Sequence, residues 1–245
     1  MRKLIYCICL GACAPAIANT TIVNYSDNPP LKYSNSVRLE QIMLDLVASE
    51  DSASFTNYPV ANRIFNLDKQ RLANNQKQSV INQIDNSKSN NKSLYQSLTL
   101  LAEQIQAWDV SYRESIILDL DRVRLTPSMN PMLNGRYTIE LPKRTNTVDL
   151  LGLFFSPSRK ELKPNSTVSD YIHSTMHLSS ASDSYAWIVY PDGHSEKVGY
   201  AYWNNQRTLI PPGSSIFLGF NHPSKELEQL EKEIVSLIAW KRDPL

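Results

Sequence analysis

The spacing of apolar positions changes several times along this chain of 245 residues, and each change marks a new element. Residues 20–25 (TTIVNY) read as a strand, Asp27-Asn28-Pro29-Pro30 breaks it, and residues 31–33 offer a second short strand. Leu39, Ile42, Met43, Leu46 and Val47 then fall at i, i+3, i+4, i+7 and i+8, the spacing of one helix face. From residue 59 to residue 108 the chain turns polar. Val80, Ile81 and Ile84 predict a modest helix, residues 86–91 a polar turn, and Leu94, Leu98, Leu101, Ile105 and Trp108 a stronger second helix. The pair predicts a helical hairpin over about residues 60–108, its outer half solvated and mobile because it carries little to bury. Ile116, Leu118 and Leu120 alternate with Ile117, Asp119 and Asp121, which predicts a strand, and residues 136–141 predict another.

The second half repeats this grammar. Residues 150–155 and 185–190 are short apolar runs bounded by Pro and Ser, the mark of buried strands. Between them, Thr167 and Asp170 stand at the offset of a helix start, with Thr167 placed to accept from a backbone N–H. Pro191-Asp192-Gly193 is a turn, and residues 207–220 close the unit with further strands. Finally, Leu227, Leu230, Ile234, Leu237 and Ile238 line one face of an amphipathic helix whose other face carries Lys225, Glu226, Glu228, Glu231 and Lys232. It is too charged to cross a bilayer as a single apolar helix. The class is α+β: two small sheets, each covered by a helix.

Composition adds an address. Arg2 and Lys3 precede an apolar run that ends at Ala16-Ile17-Ala18, the pattern of a secretory signal peptide over residues 1–18. Leu10-Gly11-Ala12-Cys13 offers a rival cut, a lipoprotein box that would leave an acylated Cys13. All three cysteines (Cys7, Cys9, Cys13) lie in this leader, so the mature chain has no disulfide, no thiolate nucleophile and no cysteine metal cage. Removing Arg2 and Lys3 from the 25 basic residues leaves 23 against 24 acidic, with no basic stripe to suggest nucleic acid as a partner. Seven glycines are too few for phosphate-cradling loops, and no cofactor motif is present.

Three motifs in the second half carry a resemblance: the apolar strand ending in Gly152, the WIVYPDG strand and turn, and the closing LIPPGSSIFLGF with Pro212-Gly213 before its last strand. They resemble soluble-ligand-binding β-grasp (SLBB) modules of polysaccharide export proteins. The chain as a whole resembles the capsule biosynthesis GfcC family more closely. That match rests on Arg113, the segment 119–124, NPMLNGRYTIELP at 130–142, VDLLGLFFSP at 148–157, the closing motif, and a final helix ending near Arg242-Asp243-Pro244. The resemblance implies two β-grasp domains at 19–144 and 145–222, the hairpin inserted in the first, and a C-terminal amphipathic helix at 223–245. It also implies a periplasmic, non-enzymatic accessory role in capsule or exopolysaccharide biosynthesis or export. The partners would then be polysaccharide or the export proteins, with the final helix as a route to an outer-membrane-associated complex. The chain departs from the family pattern at Ser156-Pro157-Ser158, where a Pro-Gly is expected, and lacks the Gly-Gly that often follows the domain helix in export modules.

Several residues are candidates for chemistry. The resemblance places Arg113 where the family keeps an arginine beside the hairpin, and a guanidinium pairs bidentately with carboxylates such as those of uronic acids. Its bland alternative is an ion pair tying hairpin to sheet. Arg124 lies in the same basic cluster, and Trp203 belongs to an aromatic-rich region suited to sugar stacking, whereas Trp187 and Tyr190 sit in an apolar strand and read as core. Asp119 and Asp121, two apart on a strand, would face one way, and paired carboxylates can hydrolyse glycosides. That makes a polysaccharide-modifying hydrolase the alternative function. His173 and His177, four apart, have the spacing of two metal ligands on a helix, but no further ligand accompanies them.

Overall fold

The computed structural model describes residues 20–25, 28–49 and 58–242. The leader and Cys13 lie outside the described residues. Eleven strands and six α-helices are described, in three sheets.

The first sheet holds β1 (Thr21–Tyr25), β2 (Leu31–Tyr33), β4 (Arg63–Asn66) and β6 (Gly135–Glu140), in the order β2-β1-β6-β4. β1 runs parallel to β6, while β2 and β4 are antiparallel to their neighbours. Helix α1 (Leu39–Ala48) covers this sheet with the predicted stripe, burying Leu39, Ile42, Met43 and Leu46 completely against Val23, Ile64 and Ile139. Two short strands, β3 (Val37–Arg38) and β5 (Met132–Leu133), pair beside it.

The second sheet holds β7 (Thr147–Gly152), β8 (Ser158–Glu161), β9 (Tyr185–Val189), β10 (Ser195–Gly199) and β11 (Ser215–Leu218). Its order is β10-β9-β11-β7-β8, with β7 parallel to β11. The plan of the first sheet recurs. A hairpin comes first, then a helix, then a strand antiparallel to the last strand, which lies parallel to the first. The helix at the equivalent place is α5 (Val168–His173). Its start is the expected capping box, the Thr167 side chain accepting from the Asp170 N–H. The Asp170 carboxylate in turn accepts from the Thr167 N–H at 2.7 Å and from the Thr167 hydroxyl at 2.9 Å. Those two bonds hold Asp170 below the usual carboxylate range.

Two expectations are corrected. The segment expected as a strand at Asp119 and Asp121 is the start of α4 (Leu120–Leu125). Burial does alternate before it, with Leu118 buried and Ile117 exposed, but residues 116–119 join no ladder. Asp119 then accepts from Arg122 N–H at 3.1 Å and turns the chain into the helix. The polar stretch after residue 59 is not all hairpin either, because β4 occupies its beginning. The hairpin helices are α2 (Gln70–Asn90) and α3 (Tyr95–Gln106).

The hairpin is inserted between strands of the first sheet, yet it buries its apolar face elsewhere. Val80, Ile84, Leu98, Leu101 and Ile105 belong to one core with the second sheet and with helix α6 (Lys225–Ala239). Gln104 ties α3 to β7, its Oε1 accepting from Gly152 N–H (2.9 Å) and its Nε2 donating to Gly152 O (3.3 Å). On α6, Leu227, Leu230, Ile234, Val235, Leu237 and Ile238 are all buried, each such side chain contributing about 1.5–3 kcal/mol before entropy. No described helix is long and apolar enough to cross a membrane.

Candidate functional site

A cleft forms where the first sheet, the second sheet and the end of α6 meet. Its accessible volume is about 110 Å³. That is well below the roughly 300–1,000 Å³ of a pocket enclosing a whole drug-sized ligand. Arg113 lines it, with Arg63, Lys143 and Lys241.

Local pairing puts Arg113 there. The chain returning from α3 lies along β4, with Asn66 N–H donating to Tyr112 O (2.9 Å) and Glu114 N–H to Ile64 O (3.0 Å). The guanidinium reaches across to the second sheet, where Nη2 donates to Pro191 O at 2.9 Å and Nη1 to Ala239 O, at the end of α6, at 3.5 Å. It lies flat against Gly193. A Cβ there would sit 3.1 Å from Nη1 and press on the guanidinium, and the backbone has φ +90°, which favours glycine. The predicted Pro-Asp-Gly turn is therefore the platform of the arginine as well as a chain reversal.

No carboxylate among the described residues lies within ion-pair distance of Arg113. Burial, and secondarily the like charge of Arg63, lower this guanidinium to about 10, with Asp192 and Glu140 opposing. It therefore keeps its charge at neutral pH. The carboxylates nearby are already engaged. Glu140 takes Arg63 at 2.6 Å and Arg242 at 3.0 Å. Asp149, which also lines the cleft, is held by Arg159 through two bonds of 2.7 and 3.2 Å. Arg63 also donates to the carbonyls of Lys241 (3.0 Å) and Arg242 (2.9 Å), clamping the chain after α6 to β4. The balance of the lining is cationic, and an incoming anion meets a guanidinium bonded only to neutral carbonyls.

The other candidates do not join it. Arg124 lies on α4, paired with Glu40 of α1 at 3.6 Å and largely exposed, away from the cleft lining. Trp203 stands in a turn after β10, 72% exposed, also outside the cleft. Asp119 is spent on its helix cap, Asp121 is exposed, and neither carboxylate borders the cleft. Helix α5 ends at His173, whose Nδ1 meets Ser169 Oγ at 3.1 Å, while His177 pairs through its backbone with Phe154. Among the described residues no three His, Asp or Glu side chains are grouped to hold a metal ion. Trp187 is half-buried and donates from Nε1 to Glu231. Sequence reasoning missed Arg63, Lys143 and Lys241. Their places in the cleft come from long-range pairing alone, and no spacing signals them.

Comparison with known proteins adds two findings. Residues 16–143 match the model of the N-terminal region of capsule biosynthesis GfcC, and residues 156–242 match that of the GfcC C-terminal region. The chain is also similar to the uncharacterized protein YjbG of Escherichia coli (strain K12), 41% identical over 123 residues. That alignment spans 50% of this chain and 50% of the relative.

Proposed function

Since the chain belongs to the capsule biosynthesis GfcC family, with the role in capsule biosynthesis that membership implies, we propose that it is a periplasmic, non-enzymatic accessory protein that binds the polysaccharide through the Arg113 cleft. The recurring strand order supports reading both sheets as β-grasp units, at 19–144 and 145–222, of the kind found in polysaccharide export proteins. The export machinery would then be its protein partner. The signal-peptide pattern of residues 1–18 supports the periplasmic address.

The observation that carries the reading is Arg113, a half-buried cation lining a cationic cleft, with no carboxylate within ion-pair distance among the described residues. A uronate or another acidic substituent of a glycan supplies the missing charge, and the cleft's volume suits such a group better than a whole saccharide. Charge-assisted bonds of this kind contribute about 1.5–3 kcal/mol. The hydrolase alternative draws no support from the Arg113 cleft, since Asp119 and Asp121 stand at the start of α4 and neither lines that cleft.

The test is a titration of the mature protein with a uronic-acid oligosaccharide, assaying binding and reducing-end release together. Arg113→Ala should weaken binding by roughly 10- to 100-fold. Arg113→Lys should restore only part of it, because the planar fork is lost. Binding unchanged in Arg113→Ala refutes the site. Release of reducing ends that disappears in Asp119→Ala refutes the non-enzymatic reading.

A further inference from the structure

The chain after β10 is anchored and then thrust outward. Tyr200 and Ala201 are buried, with the Tyr200 hydroxyl donating to Ser182 O. The next two residues, Tyr202 and Trp203, are 99% and 72% exposed. They occupy the two central positions of a four-residue turn closed twice over. Asn204 N–H donates to Ala201 O at 3.1 Å, and Ala201 N–H donates to Asn204 Oδ1 at 3.0 Å. The Asn204 amide then donates to Ser184 O at 3.1 Å, and Gln206 N–H to Gly199 O at 3.2 Å. Gly199 lies so close to Asn204 that any Cβ would collide with its carbonyl. Beyond the turn, the backbone returns to the start of α5, where Val168 N–H donates to Thr208 O at 3.1 Å.

We infer that this turn is a second glycan contact, a stacking platform for the apolar C–H face of a sugar ring. It rests on the glycan reading above but uses a different site, since neither aromatic residue lines the Arg113 cleft. Two observations favour a sugar over a protein. The exposed residues that follow the pair are Asn205, Gln206 and Arg207, amide and guanidinium groups that suit hydroxyls and acidic substituents. The platform is also only two rings wide, whereas a stable protein interface needs about 800 Å² from each partner. The fixed backbone matters because only the two side chains remain to be ordered when a ligand binds. Tyr202 is so exposed that it supports nothing in the fold.

The site is tested by affinity electrophoresis of the mature protein in gels containing the producing organism's surface polysaccharide, and by titration with cellohexaose, whose rings present flat C–H faces. Acrylamide quenching reads Trp203 directly, because it is the most exposed of the four tryptophans. Saccharide should shield it. Trp203→Ala should weaken binding by about fivefold, and the Tyr202→Ala, Trp203→Ala pair by more. Melting temperature should not change. Trp203→Phe should keep most of the binding. Trp203→Leu, apolar without a π face, should not. Equal retention of Phe and Leu variants overturns stacking. No retention of the parent protein by polysaccharide, or retention unaffected in the double variant, overturns the site. If retention falls in Arg113→Ala but not in the double variant, the cleft stands and this platform falls. The reverse pattern removes the cleft and keeps the platform.

Discussion

Removal of Glu231 should destabilise this fold through two stranded donors. It lies on α6, 2% exposed, with Oε1 accepting from Phe220 N–H at 2.7 Å and Oε2 from Trp187 Nε1 at 3.1 Å. The carboxylate thus joins the helix to β9 and to the residues just past β11. Gly219 leaves room for it, since a Cβ there would overlap Glu231 Oε1. Glu231→Ala strands the buried Phe220 N–H and the partly buried Trp187 Nε1–H. At about 1–3 kcal/mol for each unsatisfied group, the loss is roughly 2–5 kcal/mol, moderated by relief from burying a charge. In a chain of this size, with about 2–4 °C per kcal/mol, a 3 kcal/mol loss lowers Tm by about 6–12 °C. Glu231→Gln keeps one acceptor but turns its NH₂ toward a donor, so it should fall between parent and Ala.

The pH response gives a second reading of Glu231. Burial raises its pKa above the usual carboxylate value. The bonds from Trp187 and Phe220 and the charge of Lys197 oppose that, while Glu228 adds to it. A raised folded-state pKa means that the folded state binds more protons than the unfolded state. Its contribution is complete below the unfolded pKa of about 4.3 and is lost as pH rises through the folded value. Urea unfolding between pH 4 and 8 should therefore show this component declining with pH in the parent and absent in Glu231→Gln. A Glu231→Ala protein as stable as the parent, or an identical pH profile in Glu231→Gln, would refute the argument.

Other expectations follow from single contacts. Gly193→Ala forces a side chain into φ +90° and against the Arg113 guanidinium. It should cost about 1–3 kcal/mol in urea unfolding and should weaken uronate binding in the same titration as Arg113→Ala. Asp119→Ala removes the α4 cap and should cost about 1 kcal/mol while leaving polysaccharide binding untouched. A binding defect in Asp119→Ala with parental stability would revive the carboxylate-pair chemistry.

Much of the secondary structure is legible in the residues. The α1 stripe, the α6 stripe, the strands at Thr21–Tyr25 and Tyr185–Val189, and the Pro191-Asp192-Gly193 turn all follow from spacing and turn chemistry. The failure at Asp119 is instructive. Alternation at Ile117 and Leu118 reports their burial truthfully, but burial on alternate sides does not require a partner strand, and the capping Asp119 that follows wins the backbone for a helix. Strand β4 was hidden because four residues (RIFN) with two polar ends carry too little periodicity.

What the chain determines by itself, then, is which faces must leave water and where the backbone turns. Those are local properties, written in side chains within a few residues of one another. The destination of each face belongs to the tertiary structure. The hairpin's apolar side could equally have covered the first sheet, in whose sequence it is inserted, yet it lies with α6 and the second sheet. The cleft is of the same kind. Arg63, Arg113, Pro191 and Ala239 come from four distant stretches and meet only because β4, the Gly193 turn and the end of α6 converge. Hydrophobic burial is non-directional, so a period records that a face is buried and not what buries it. Arg113 is recognisable as a residue to watch, but the guanidinium bonded to carbonyls and to no carboxylate that it becomes is a product of packing.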